Sequence, residues 1–160
     1  PVNGRLEKIG MIKNQSSVIL DYAHTPDALK TCLKNLKEQF KGSKISIVFG
    51  CGGNRDVGKR PLMAQFACQL SDQVILTSDN PRSEDPKKII NEMKAGLNAS
   101  QMRKVLSLED RREAIKLGVT ICSEGDILLV AGKGHEKYQE INGERFPFDD
   151  MAILKEHFKH

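Results

Sequence analysis

At 160 residues the chain is long enough for one domain with a substantial core. A hydrophobic fraction of 39% and a charged fraction of 29% exclude a disordered chain, and no apolar run reaches the length of a membrane span. The formal net charge of +4 comes with no dense Lys/Arg run, no Trp and only 5% aromatics, which suits phosphate-bearing small molecules better than a nucleic-acid track.

The chain opens on Pro1-Val2-Asn3-Gly4-Arg5, without an initiator Met or a signal-peptide pattern. Residues 1–14 read as a lead-in strand or linker from missing upstream domains, and residues 15–160 as the domain proper. Strand-like apolar runs follow at residues 17–21, 45–50, 73–77, 104–107 and 126–131. Helical patterns separate them. Residues 26–40 place Leu29, Leu33, Leu36 and Phe40 at three-to-four spacing, with Thr25 as N-cap and Pro26 at the first helical position. Residues 60–70, 86–97 and 110–122 repeat the pattern. Apolar strands alternating with amphipathic helices predict an α/β, Rossmann-like fold, its mostly parallel sheet covered by helices on both faces. Asn142-Gly143, between alternating runs, predicts a C-terminal hairpin over residues 137–148, and residues 149–158 read as a closing helix. The cysteines Cys32, Cys51, Cys68 and Cys122 form no CxxC pair, which points to a reducing cytosol and no zinc site.

Polar clusters sit at four predicted strand ends, where open α/β sheets bind ligands. In Ser78-Asp79-Asn80-Pro81-Arg82 the proline fixes its own φ and pushes Asn80 toward extended backbone. That holds a carboxylate, an amide and a guanidinium together. Asp79 and Asn80 suit an ammonium and Arg82 a carboxylate, the two groups of an amino acid. Asp21-Tyr22-Ala23-His24-Thr25-Pro26 follows the first of these strands; Asp21 suits sugar hydroxyls and His24 a phosphate or sugar, although helix capping explains both equally well. Phe49-Gly50-Cys51-Gly52-Gly53-Asn54-Arg55-Asp56 lets backbone approach an anion, yet it is neither a Walker A loop nor GxGxxG, and a plain tight turn explains it as well. Arg55 stands out there as a charged fork with little reason to pack. In Gly132-Lys133-Gly134-His135-Glu136, Glu136 suits an ammonium, while Lys133 and His135 also fit solvated loop positions. Cys51 has no base assignable to it and reads as structural. The four clusters outline a cleft with fixed anion and cation receptors. The chain lacks a phosphate-gripping lysine loop and a dense carboxylate cluster for magnesium, so it is expected to orient ligands while something else energises the reaction.

These strings, with Gly58-Lys59-Arg60-Pro61-Leu62-Met63, closely resemble the carboxy-terminal domain of the Mur ligases, in the diaminopimelate-adding type. The resemblance starts at Gly4-Arg5-Leu6-Glu7 and covers nearly the whole chain; Leu6, where Met or Phe is commoner, is a conservative departure. It implies an ATP-dependent amide ligase of peptidoglycan synthesis in the bacterial cytoplasm. ATP would phosphorylate the carboxylate of a UDP-N-acetylmuramoyl dipeptide, and the incoming amine would attack the acyl phosphate. A missing central domain would hold most of the ATP and the Mg2+. Arg55, Asp79, Asn80, Pro81, Arg82, Gly132 and Glu136 match the positions that contact meso-diaminopimelate, and Arg5, Asp21 and His24 match the nucleotide side of the cleft. The resemblance assigns no catalytic base and no metal ligand to this part, and no nucleic-acid or membrane partner. It implies that Arg82 pairs with the distal carboxylate that lysine lacks. Other readings are a folylpolyglutamate or cyanophycin synthetase domain, or a stand-alone nucleotide- or nucleic-acid-binding module.

Overall fold

Apolar strands, each returned by a helix, set the architecture. The computed structural model describes residues 5–158, so Gly4 of the expected match and the first four lead-in residues lie outside the described part. β1 (Glu7–Met11) pairs antiparallel with β2 (Ser17–Asp21). The chain continues through α1 (Pro26–Gln39), β3 (Ile45–Phe49), α2 (Lys59–Leu70), β4 (Gln73–Leu76), α3 (Pro86–Lys94), α4 (Ala99–Met102), β5 (Val105–Ser107), α5 (Arg111–Ile121) and β6 (Ile127–Ala131). A separate hairpin of β7 (Tyr138–Ile141) and β8 (Glu144–Pro147) precedes α6 (Asp150–Lys155). The main sheet runs β1-β2-β6-β3-β4-β5 and is parallel except at β1.

The order follows from crossover geometry. The path from β2 to β5 steps along one direction, which puts α1, α2 and α3 on one face. β6 then returns to the gap between β2 and β3, so α5 crosses the other face, where α6 joins it. Alternate residues of β6 serve the two cores: Ile127, Leu129 and Ala131 pack with the α1–α3 side, Leu128 and Val130 with the α5–α6 side. Every residue of β3 and β6 is buried, as expected for strands covered on both faces.

Local chemistry sets the helix ends. The Thr25 hydroxyl accepts from Ala28 N, with Pro26 in the first turn, as the sequence predicts. Asp85, Asp110 and Asp149 cap α3, α5 and α6 in the same way. The helix expected over 86–97 stops at Lys94. Asn98 then starts the separate turn α4 through a capping box with Gln101, a short element that the hydrophobic periodicity does not signal. Asn142 and Gly143 both have positive φ, the backbone that a two-residue hairpin turn demands. Within the expected lead-in, β1 lies on the sheet and Ile12 is fully buried.

Candidate functional site

The parallel sheet brings the loops after β2, β3, β4 and β6 to one edge. The loop after β4 is the most constrained. Asp79, Asn80 and Pro81 are buried, and Arg82 has φ +54, a left-handed backbone that a long side chain rarely adopts. The hairpin holds it there: Arg82 N donates to Glu140 O (2.9 Å), Asn142 N donates to Arg82 O (2.8 Å), and Arg82 bridges Ile141. The Arg82 guanidinium donates to Gly53 O (3.0 Å) through Nη1 and stands 3.6 Å from Glu140 Oε1 through Nε.

The loop after β6 supplies the opposite wall. Lys133 is 0% exposed, which corrects the solvated-loop reading of this residue. Its ammonium donates to Asn80 Oδ1 (2.8 Å), Glu136 Oε1 (3.1 Å) and Tyr138 O (2.8 Å), and it lies 3.4 Å from Asp79 Oδ1. Asn80 Nδ2 donates to the same Glu136 oxygen (3.0 Å). From the hairpin, Gln139 Nε2 donates to Asp79 O (2.8 Å) and Glu140 N to Asn80 Oδ1 (2.9 Å). Gly132 sits at φ +109, where an added Cβ would lie 2.9 Å from Asp79 Oδ2, so only glycine fits beside that carboxylate. His135 is half-buried, with Nε2 2.7 Å from Glu7 Oε2 of β1.

The glycine loop after β3 packs onto the β4 loop. Gly53 N donates to Asn80 O (2.8 Å). Behind it, Arg60 is fully buried: Nη2 donates to Gly52 O (3.0 Å) and Glu84 Oε2 (2.7 Å), and Nη1 to Glu92 Oε2 (2.5 Å). Glu84 also accepts from Asn54 N. The Arg60 hydrogen bond, then that backbone donor, hold the Glu84 carboxyl at about 2, well below its ordinary value. Arg55 is exposed, and its guanidinium donates to Asn54 O (3.1 Å) of its own loop. Cys51 is buried and its thiol is pushed up to about 12, mainly by burial, in keeping with a structural cysteine.

Arg5, Asp21 and His24 line one cavity of about 530 Å³ with Tyr22, Asp27 and Asn35. Asp21 accepts from Leu6 N through one oxygen and from Ala23 N through the other, both at 2.7 Å. The Cys32 thiol also hydrogen-bonds this carboxylate, which leaves it one lone pair for a hydroxyl. His24 is exposed, with Nδ1 2.9 Å from Tyr22 O. Gly132 N donates to Asp21 O (2.9 Å), so the cavity and the Asp79–Glu136 cluster lie on either side of one glycine.

The structure thus divides the expected site residues between two neighbouring places, with Arg55 at the rim. A family described as Mur ligase, glutamate ligase domain, matches residues 4–134. The chain belongs to this Mur ligase family. It is 56% identical over 154 residues to the UDP-N-acetylmuramoyl-L-alanyl-D-glutamate–2,6-diaminopimelate ligase of Cytophaga hutchinsonii, covering 96% of this chain and 32% of that protein. It is 52% identical over 159 residues to the protein of the same name from Bacteroides thetaiotaomicron, covering 99% and 33%. A solved structure of such a ligase superposes with a TM-score of 0.87 at 49% identity, over 96% of this chain and 31% of that one. Folylpolyglutamate synthase from Thermotoga maritima shares the fold at a TM-score of 0.62 and 25% identity, over 82% and 28%. The chain spans about a third of the length of the curated relatives it matches.

Sequence reasoning left several parts of this Mur ligase domain's site unassigned. Lys133 is one. Gln139 and Glu140 are others, because their contacts depend on where the hairpin docks. Arg111 is the fourth: it is fully buried and donates to Ser78 O, Ala131 O and Asp150. A signal for it does exist. Arginine in the first turn of a helix opposes the macrodipole, so its presence in α5 implies a partner elsewhere.

Proposed function

We propose that the chain is the amino-acid-binding part of an ATP-dependent ligase that joins meso-diaminopimelate to UDP-N-acetylmuramoyl-L-alanyl-D-glutamate in bacterial peptidoglycan synthesis. Residues 15–160 form most of this domain, and the expected lead-in contributes its edge strand β1 and the buried Ile12 to it. The observation that carries the reading is that the turn after β4, with Asp79, Asn80 and Arg82, meets Glu136 from the loop after β6 across the end of β3. It offers an amino acid a cationic and an anionic receptor on fixed backbone. The names of relatives at 52% to 56% identity point the same way, whereas the folylpolyglutamate reading has a likeness of 25%.

In this reading the acidic side chains Asp79 and Glu136 receive an ammonium, and Asn80 orients the Glu136 carboxylate for it. Arg82 pairs with the distal carboxylate of diaminopimelate, with Arg55 at the rim and Pro81 and Gly132 shaping the walls. A guanidinium pairs with a carboxylate bidentately, and lysine offers it no partner. The chain's contribution is positioning: the attacking amine is held in place, and its loss of freedom is taken at binding instead of in the transition state.

The cavity beside Asp21 suits a nucleotide, since a guanidinium, an imidazole, an amide and carboxylate lone pairs surround an aromatic ring. Arg5, Asp21 and His24 would hold that part of ATP. ATP supplies the phosphoryl group that activates the acceptor carboxylate, and Mg2+ accompanies it in the preceding central domain. No group of three or more His, Cys, Asp or Glu residues placed to hold a metal occurs among the described residues. In this reading the ligase works in the cytoplasm, where nucleotide-linked precursors are made. No helix among the described residues is long and apolar enough to cross a membrane.

The test uses the complete ligase with Arg82→Ala. The KM for diaminopimelate is expected to rise by about a hundredfold, from the loss of a charge-assisted bidentate pair, with the KM for ATP little changed. An unchanged KM for diaminopimelate would overturn the reading. The isolated chain is expected to show no turnover.

A further inference from the structure

Lys133 places a positive charge at the centre of the cluster, with no exposure to water. Burying an ammonium costs several kcal/mol unless every donor is used. Here its three short contacts go to Asn80 Oδ1, Glu136 Oε1 and Tyr138 O, and these partners come from three different segments. A lysine kept only for packing would not bring the β4 loop, the β6 loop and the hairpin onto one atom.

We propose that Lys133 is a positioning residue for the amino-acid site: an internal counter-ion that fixes the orientation of the Asn80 amide and the direction of the Glu136 carboxylate before substrate arrives. This rests on the amino-acid-binding reading above. The geometry leaves the amide one orientation. Asn80 Oδ1 faces two donors, Lys133 Nζ and Glu140 N, while Nδ2 faces a carboxylate oxygen. A flipped amide would set its NH2 against an ammonium and an N–H, and its oxygen against a carboxylate. Without Lys133 that discrimination weakens, and Asp79 and Glu136 lose the cation lying between them. Lys133 also offsets one of their two negative charges, which leaves one for a substrate ammonium to meet.

Lys133 acts on binding geometry, so its effect falls on the amino acid and not on the nucleotide. In the complete ligase, Lys133→Met is expected to raise the KM for diaminopimelate at least about tenfold, as loss of a buried charged hydrogen-bonding partner does, with the KM for ATP within about twofold. The effects of Lys133→Met and Asn80→Ala on that KM are expected to be strongly non-additive, because one acts through the other. Lys133→Ala is expected to recover part of its affinity for diaminopimelate when ethylammonium is added. An unchanged KM, additive effects, or equal changes for ATP and diaminopimelate would overturn the proposal. If the variants do not fold, wild-type ligase labelled with 15N-lysine decides. The Lys133 ammonium resonance is expected to shift saturably with diaminopimelate, and a resonance unmoved at saturation would overturn the role. Failure of the underlying reading looks different: the wild-type ligase would then not use diaminopimelate at all.

Discussion

Arg111 and Asp150 form an ion pair that is completely buried on both sides, with Nε donating to Oδ1 at 2.8 Å and Nη2 to Oδ2 at 2.7 Å. The same guanidinium donates to Ser78 O and Ala131 O, so one side chain ties the ends of β4 and β6 to the closing helix α6. These are the strand ends from which Asp79 and Lys133 project. Burial pushes the Arg111 pKa down, but Asp150, followed by Asp79 and Glu136, outweighs it and raises the pKa, so the guanidinium stays charged.

Removing one partner of this pair strands the other charge in the core. Arg111→Met is expected to destabilise the domain by about 3–5 kcal/mol. Arg111→Met with Asp150→Leu is expected to recover part of that loss, since no charge is then left buried. Urea unfolding of the three proteins measures the difference; a single-variant loss below about 1 kcal/mol, the scale of an exposed pair, would contradict the role given to the pair.

The parts of the molecule set by local chemistry were legible in the sequence. Thr25-Pro26, the apolar runs of β3 and β6, and Asn142-Gly143 each carry their own physical reason for a helix start, a covered strand or a tight turn. The site was legible as four strings, because a parallel sheet places the residues after each strand on one edge. What stayed hidden depends on contacts distant in sequence. Lys133 reads as a loop lysine until the hairpin brings Tyr138 O over it. Nothing in the sequence around Arg60 signals its burial, because Glu84 and Glu92 come from 24 and 32 residues away.

Glu84 gives the stability a defined response to acid. Its carboxyl titrates at about 2 in the folded chain, against an ordinary value of 4.5. Its folded pKa is depressed, so the stabilisation is fully present above about pH 4.5 and is lost as pH falls through about 2. Glu84→Gln should therefore lower the unfolding midpoint at neutral pH, and the gap to wild type should close between pH 4.5 and 2. A gap of constant size across that range would show that the carboxylate charge is not what Arg60 and Asn54 hold.

The four cysteines are all buried and free. Burial raises the thiol of Cys51 to about 12 and that of Cys122 to about 11, and it also raises Cys32 and Cys68. Nucleophilic attack needs the thiolate, so native protein at pH 8 is expected to resist iodoacetamide, with all four sites labelling once the chain is unfolded in urea. Mass spectrometry reads this directly. Labelling of native Cys51 at the rate of an exposed thiol would contradict its placement.

Gly53 lies where the glycine loop touches the Asp79–Arg82 turn. A Cβ there would stand 1.8 Å from Pro81 O, which is backbone and has no soft way to yield. Gly53→Ala must therefore push apart the loops that carry Arg55 and Arg82, and it would break the Gly53 N to Asn80 O hydrogen bond. The expected cost is about 1–3 kcal/mol of stability from overpacking, together with weaker diaminopimelate binding in the complete ligase. Gly143→Ala is the matched control. Its φ of +80 also disfavours alanine, yet nothing lies within 4 Å of the added methyl. That variant is expected to lose about 1 kcal/mol of stability with little change in the KM for diaminopimelate. If the two variants weakened amino-acid binding equally, the contact between the glycine loop and the Asp79–Arg82 turn would not be what aligns the site.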